Sequence, residues 1–537
     1  MLSRINMKRS VTFLIAILWL SCHICKAQSN EDLSGGVVWE SEPYMAIDPA
    51  NPQHIVVAWM GNVPLSHICI KMIATFNGGV TWSSAAAIPH YSPTYTSADV
   101  SMVFDHAGNV YATYIDSRKS PDSGAVYIVK SADGGLTWGT PSQVISGFAD
   151  GSKYPLDRPW LSISRSTGAT PDTLFVTTKP APWIAPPNRP YFVKSYDYGV
   201  TWSAWRYIDS TGFLVGNTIQ APMAAPAVDS AGTFHCIYPA YLPAQSPYAQ
   251  YLLANSGPAN SFNYNVAETV MSAGPVDSLA KAGGRFICDP TNNKHFAFVH
   301  IEDDYGDLDV FSSETMDGGV TWSTLARVND DAEGNGKMQD MVWANFDEHG
   351  DLVTAWRDRR NAPGTGYEQP TEVWGAIKWK DSLNFSANFK LSDTAAPYDS
   401  AYLYGNGNDF MNVAMAQDTL SAVWGDVRTG VLNIWLARKY LHVTDTAIDT
   451  GSTVVKNIVS EQLPMVHIYP NPGSEQITVE GEGMVNIMLN DVSGKTVLER
   501  KPGSKKCVLD ISGLARGIYI AVVTTQHGVV DQKVEIR

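Results

Sequence analysis

The sequence predicts an all-β protein: a β-propeller of repeated four-stranded blades, followed by a small C-terminal β-sandwich. Three observations predict it. One octapeptide recurs about every 60 residues, an apolar hairpin pattern recurs between its copies, and residues 463–537 alternate apolar and polar positions between Asn/Gly turns.

The octapeptide reads TFNGGVTW at 75–82, SADGGLTW at 131–138, SYDYGVTW at 195–202 and TMDGGVTW at 315–322. Its Trp-to-Trp intervals are 56, 64 and 120, the last being two repeats. Decayed copies put Phe262 and Phe385 where the missing tryptophans belong. Within each copy the acid or amide (Asn77, Asp133, Asp197, Asp317) accepts N–H groups across its own turn. The Gly two positions on supplies φ > 0. The Thr leads back to extended chain, and Trp82, Trp138, Trp202 or Trp322 covers the turn. These residues read as turn-builders; catalysis by their acids is the alternative.

The hairpins begin at residues 44, 101, 160, 226, 285, 342 and 411, each an apolar run, a polar turn and a second apolar run. Each of the first six leads to a third strand, a copy of the octapeptide and a fourth run. Seven hairpins give seven blades, or six if the first or last unit is not one. The seventh unit stops after 431–441, and GGVVWE (35–40) is expected to supply its missing strand, closing the ring and removing free edges.

The spacing S-x-D-x-G-x-T-W makes 28–441 resemble the sialidase-like Asp-box (BNR repeat) propellers. That resemblance implies the propeller fold and contact with glycans, because such propellers include both glycoside hydrolases and binders. Sialidases use an arginine trio for the substrate carboxylate, a Tyr/Glu nucleophile pair and an Asp acid/base. Their first Arg opens the first inner strand in R-I-P; here Ser41-Glu42-Pro43 stands there, and an acid cannot clamp a carboxylate. The nearest Arg-Pro is Asp157-Arg158-Pro159, in the third unit.

Polar residues that open inner strands of a propeller converge at one mouth of its axis. Here they are Glu42, Asp99, Asp157 with Arg158, Gln220, Arg285, Asp340 and Asp409. A second set follows the second strands: Asp116-Ser117-Arg118, Arg357-Asp358-Arg359 and Asp426-Val427-Arg428. Together they predict a cleft of carboxylates and guanidiniums. Glycoside hydrolysis needs two carboxylates and polar groups for hydroxyls, and guanidiniums fork onto carboxylates. Asp157, Asp340, Asp409 and Tyr404 are the candidate catalytic residues; Arg158, Arg118, Arg357, Arg359, Arg428, Asp99 and Glu42 are the candidate substrate binders. The competing reading is a ring of structural Asp–Arg ties.

Two acidic loops, EDDYGDLD (302–309) and NDDAEG (329–334), suggest calcium, with Asp303, Asp304, Asp307 and Asp309 as ligands; a solvated acidic loop is the alternative. No other cofactor is implied: SGKT (493–496) lacks the upstream Gly of a phosphate loop, and HExxH and GxSxG do not occur.

Lys8 and Arg9 precede a ten-residue apolar run, Val11–Leu20, and a polar stretch ending at Ala27. This is the pattern of an export signal spanning 1–27, too short for the roughly 20 residues that cross a bilayer. Without it the chain carries a net charge of −19, while 463–537 is balanced at eight basic and eight acidic residues. An acidic body of this kind is repelled by nucleic acid and anionic membrane, which excludes nucleic acid as a partner. Cys69, Cys236, Cys288 and Cys507 are widely spaced, and neither a zinc site nor a disulfide framework is indicated.

After a polar linker at 442–462, residues 463–537 carry Y-P-N-P (469–472), D-x-x-G-K (491–495) and L-D-I-S-G-L-x-x-G-x-Y (509–519). These closely resemble the type A sorting domain of the type IX secretion system. The resemblance implies passage through the outer membrane, the secretion machinery as partner, and a propeller left secreted or on the cell surface. The expected function is a surface or secreted propeller acting on glycans, an exo-glycosidase of sialidase type. The alternative is a non-catalytic glycan- or protein-binding adhesion module.

Overall fold

The computed structural model describes residues 30–36, 39–62, 67–119, 122–151, 156–165, 172–181, 189–208, 224–241, 249–256, 262–270, 283–398, 407–443, 458–459, 466–491, 495–525 and 528–537. The expected export signal, most of the linker, Gln220 and Tyr404 lie outside them. All described regular structure is β, and no described helix is long and apolar enough to cross a membrane.

Six four-stranded antiparallel sheets follow one another in chain order. Their inner strands are Glu40–Asp48, Thr96–Phe104, Leu156–Ser164, Ala225–Val228, Gly284–Cys288 and Gln339–Phe346. In each, the three later strands stack outward in sequence order. The seventh sheet has Asn412–Ala416 inside, then Thr419–Asp426 and Asn433–Tyr440, and takes its outer strand from Glu31–Asp32. Each inner strand packs against the next, and the seventh against the first, so the ring closes. This is a β-propeller, and we number its blades one to seven in chain order.

The closing strand differs from the expected one. Glu31 and Asp32 pair with Leu436 and Trp435, and Leu33 N–H donates to Ile434. Of the described residues of GGVVWE, Glu40 reaches blade seven through its N–H to Leu432 and Trp39 packs against Val427 and Leu432 there, while Glu40 itself opens the inner strand of blade one. Asp32 explains the shift: its carboxylate caps the N–H groups of Ser34 and Gly35, so the chain turns just where the apolar pattern suggested a strand.

The four full octapeptides fold as one type of turn, at the ring end opposite the starts of the inner strands. In 131–138, Ser131 donates to Asp133 and accepts Gly135 N–H, while Asp133 accepts Thr137 N–H at 2.9 Å and its hydroxyl at 2.5 Å. Asp197 and Asp317 do the same, while Asn77 accepts the Thr81 N–H and donates its own amide N–H to the Thr81 hydroxyl. The Thr is therefore a second tie for the acid rather than the start of a strand. Gly319 (φ +89°) shows the need for glycine: a Cβ there would lie 2.1 Å from Leu253 of blade four.

The C-terminal segment folds as two sheets. One is Val466–Tyr469, Gln476–Gly481 and Lys506–Asp510; the other is Met484–Asn490, Thr496–Arg500, Gly517–Thr525 and Gly528–Ile536. Alternate apolar residues of both, among them Ile477, Val479, Leu489, Leu509 and Val523, share one core, which makes a β-sandwich.

Candidate active site at the mouth of the ring

Near their starts four of the seven inner strands break register. The ladder skips between Ser41 and Tyr44, Ala98 and Ser101, Asp157 and Trp160, and Asp340 and Trp343. At each skip one residue takes a left-handed backbone: Glu42 (φ 54°), Asp99 (54°), Arg158 (50°) and Met341 (54°), with Asn408 (65°) and Gly283 (69°) in blades seven and five. Such bulges re-aim side chains, and left-handed non-glycine residues persist only where their surroundings hold them. Here the surroundings are the neighbouring blades, whose side chains meet.

Two residues below the bulges, Tyr44, Trp160, Trp343 and Phe410 form a buried aromatic layer with ring centroids 5.5–6.2 Å apart. Arg285 belongs to this layer rather than to the mouth, its guanidinium 4.6 Å over Trp343. The layer plugs the axis, so the mouth is a cup with a floor.

The cup gathers four carboxyls and two cations from four blades. Asp99 accepts the backbone N–H of Arg158 at 2.9 Å. The Arg158 guanidinium holds Asp409 at 2.8 Å and lies 3.9 Å from Asp157. Lys179, the cross-strand neighbour of Asp157, bonds it at 2.9 Å. Asp409 N–H points at Glu42, 3.4 Å away. Glu42 is buried at 2% exposure, whereas the side chains of Asp157, Arg158, Lys179 and Asp409 keep 15–24%.

Burial and crowding separate the protonation states. Burial, reinforced by the charges of Asp99 and Asp409, pushes Glu42 well above the usual carboxylate range. Burial and the charge of Asp157 raise Asp99 to about 7. Asp157 is held low: burial opposes its charge, but Lys179 and Arg158 outweigh it. The crowding of acid against acid favours the neutral form of Glu42 and Asp99 and leaves the charge on Asp157. Asp99 and Asp409 stand at opposite ends of Arg158, one on its backbone and one on its guanidinium. A carboxyl protonated near neutrality and an ion-paired carboxylate on one cup are the groups that acid–base chemistry requires.

The structure places the other candidates elsewhere. Asp340 sits one residue before its bulge, as Asp157 does, and Arg357 is its cross-strand neighbour, as Lys179 is of Asp157. But Asp340 is completely buried: Arg357 forks onto both its oxygens, Arg359 bonds at 3.1 Å and Tyr367 at 2.6 Å. Burial opposes its charge, yet the two arginines hold Asp340 far below the usual range. Arg357 and Arg359 are thus committed to an internal acid. The repeated ties run from Asp358 to Arg360, one residue off the Arg357-Asp358-Arg359 phase, and from Asp426 to Arg428, as the sequence reads. Trp356 and Trp424 donate their indole N–H to the same acids, and Arg360 and Arg428 stack 4.1 and 4.3 Å over Trp374 and Trp435. Arg428 also holds Asp393 at 2.5 Å. Arg118 bonds Thr94 at 3.4 Å.

Of the suggested calcium ligands, Asp309 bonds Arg327 and Asn329 at 2.6 Å, and Asp307 accepts the N–H groups of Gly336 and Lys337. Among the described residues no three His, Cys, Asp or Glu side chains are grouped to hold a metal. Lys179 was not singled out by the sequence. Its signal is its place as the last cation of the run Leu174–Lys179, in ladder register with Asp157.

Residues 467–537 match the family described as the secretion system C-terminal sorting domain. The chain is thus directed through the type IX secretion machinery to the cell surface or the extracellular space. Among curated proteins none matches the chain. Solved structures with similar architecture include a protein of unknown function from Dyadobacter fermentans (13% identity, TM-score 0.40, covering 66% of this chain and 100% of that one). Others are a sialidase from Streptococcus pneumoniae (10%, 0.39, 77% and 70%) and an α-L-arabinanase from Penicillium chrysogenum (8%, 0.41, 76% and 97%). Likenesses of this degree say nothing about what this chain acts on.

Proposed function

We propose that residues 28–441 form an extracellular glycoside hydrolase, joined by a linker at 442–462 to a sorting domain at 463–537, and that the cup at the mouth is its active site. The observation that carries this reading is Asp99, a carboxyl raised to about 7 that accepts the backbone N–H of Arg158, whose guanidinium in turn holds Asp409. Asp99 protonates the leaving glycosidic oxygen. Asp409, paired with Arg158 at 2.8 Å, serves the opposite side of the sugar as base or nucleophile. Burial of Glu42 favours its neutral form beside Asp99, and Lys179 favours the charge on Asp157, so that the Asp99 proton stays poised.

The substrate class follows from charge. Arg158 is already shared among Asp157, Asp409 and Asp99, and four carboxyls outnumber two cations. Such a cup suits hydroxyl-rich neutral sugars, whose O–H groups donate to carboxylates, better than carboxylated ones. Sialosides are therefore expected to be poor substrates, despite the sialidase-like octapeptides.

The test is a panel of chromogenic glycosides, neutral and acidic, incubated with the mature protein and with Asp99→Asn. Hydrolysis of a neutral member by wild type alone supports the assignment. An inert wild type that still binds glycans on an array would make the mouth a binding site instead. Equal hydrolysis by both proteins would remove Asp99 from the mechanism.

A further inference from the structure

The mouth face of blade two carries an aromatic shelf that the chemistry proposed above does not use. Residues 88–95 leave the outer strand of blade one and cross this face to the inner strand of blade two. Within them Tyr91 is 55% exposed. One face of its ring lies on Tyr127, centroids 4.6 Å apart at 24°. The exposure belongs to a fixed ring: Tyr91 N–H donates to Asp116 at 2.7 Å. Asp116 is fully buried and also takes His90 Nδ1 at 2.8 Å and Ser97 Oγ at 3.0 Å.

Ser97, His90 and Asp116 do not make a nucleophilic triad. Both Ser97 and Asp116 meet the same ring nitrogen, Nδ1, so the imidazole cannot relay a proton between them. What the buried carboxylate does is lock His90 and Tyr91 in place.

Register sets the distance from this shelf to the cup. Ser97 precedes Asp99 by two residues on one strand, about 7 Å at roughly 3.4 Å per residue. Tyr127 is on the third strand of the blade, about 10 Å out from the inner one at about 4.8 Å per strand. A single sugar ring seated at Asp99 does not span that gap; a chain does. An exposed, immobilised aromatic face beside fixed polar groups is the surface on which sugar rings stack, with little ordering left to be done on binding.

We infer that Tyr91, positioned by Asp116, is the platform of an outer subsite with His90 as its polar partner, and that the substrate is a chain of two or three sugar units or more. This rests on the reading of the mouth as a glycan site.

Mature wild type, Tyr91→Ala and Tyr91→Trp are compared on p-nitrophenyl monoglycosides and on matching oligosaccharides of two to six units, with melting curves confirming the fold. Tyr91→Ala is expected to lower the ratio of chain to monoglycoside kcat/KM about three- to tenfold, the weight of one aromatic stack, mainly through KM. Tyr91→Trp should keep the ratio. An unchanged ratio in Tyr91→Ala, or an equal loss on both substrate types, overturns the subsite while leaving the mouth assignment standing. A wild type that processes neither substrate type overturns the mouth assignment, and the subsite with it.

Discussion

Asp99 of blade two accepts the backbone N–H of Arg158 in blade three at 2.9 Å, so the acid of one blade is held by the bulge of the next. The same arginine reaches Asp409 of blade seven with its side chain. Replacing Arg158 by Lys keeps a charge but loses the planar fork. Arg158→Lys should lower kcat at least tenfold while the propeller stays folded, as judged by steady-state kinetics beside a melting curve. Kinetics equal to wild type would show that the fork is not needed.

As a proton donor, Asp99 must be protonated, and its value of about 7 fixes the alkaline limb of the rate profile. Activity should fall as pH rises through about 7. Asp99→Asn should cost about 10²–10⁴-fold in kcat, the usual weight of a general acid, and should lose that limb. A limb that survives in the variant belongs to another group.

The same carboxyl links stability to pH. Its folded value is raised above an unfolded value of about 3.9, so its stabilisation is complete below that value and is lost as pH rises from about 4 through 7. The melting temperature of Asp99→Asn relative to wild type should therefore climb between pH 5 and pH 8. Scanning fluorimetry across that range reads the difference, and a flat or falling one contradicts the assigned direction.

Asp340 offers a contrast of role at an equivalent ladder position. Asp340→Ala leaves Arg357 and Arg359 buried without their acid, and breaking one side of a buried pair costs about 3–5 kcal/mol. A large drop in melting temperature is expected. Glycosidase activity per folded molecule should survive, because Asp340 is completely enclosed. Loss of activity with an unchanged melting curve would place Asp340 in the site after all.

Two neighbouring glycines separate conformational strain from collision. Gly318 and Gly319 both have φ above +80°, but a Cβ on Gly318 meets nothing within 4 Å while one on Gly319 strikes Leu253. Gly318→Ala should cost about 1–2 kcal/mol from the left-handed backbone alone, and Gly319→Ala distinctly more. Equal losses in urea unfolding would deny the packing role.

The repeat was legible because a turn that must satisfy its own N–H groups admits few residues, and Asp, Gly and Thr are visible in print. The residues that open the inner strands were legible as a set for the same reason, and Glu42, Asp99, Asp157, Arg158 and Asp409 do meet. What sequence spacing did not reveal is which acids are already consumed. Asp340 and Asp157 occupy equivalent places, but Tyr367 arrives from a loop ten residues beyond Arg357 and seals the first. Register hid Lys179, since pairing across a ladder depends on the bulge at Arg158. The Asp–Arg tie of blade six was misphased by one residue because Arg357-Asp358-Arg359-Arg360 offers two ways to read the same motif, whereas Asp426 and Arg428 of blade seven pair as read.

The outer strand of the seventh sheet comes from Glu31 and Asp32, while its last C-terminal strand ends at Tyr440. Trimming after Ala27 would leave the clasp intact by only three residues. Severing the chain between Val443 and Val466 would remove the sorting domain without touching a described strand of the ring. The two ends thus carry unequal risk: a cut behind the ring leaves its described strands in place, whereas one a few residues beyond Ala27 removes Glu31 and Asp32 and leaves the circle unfastened.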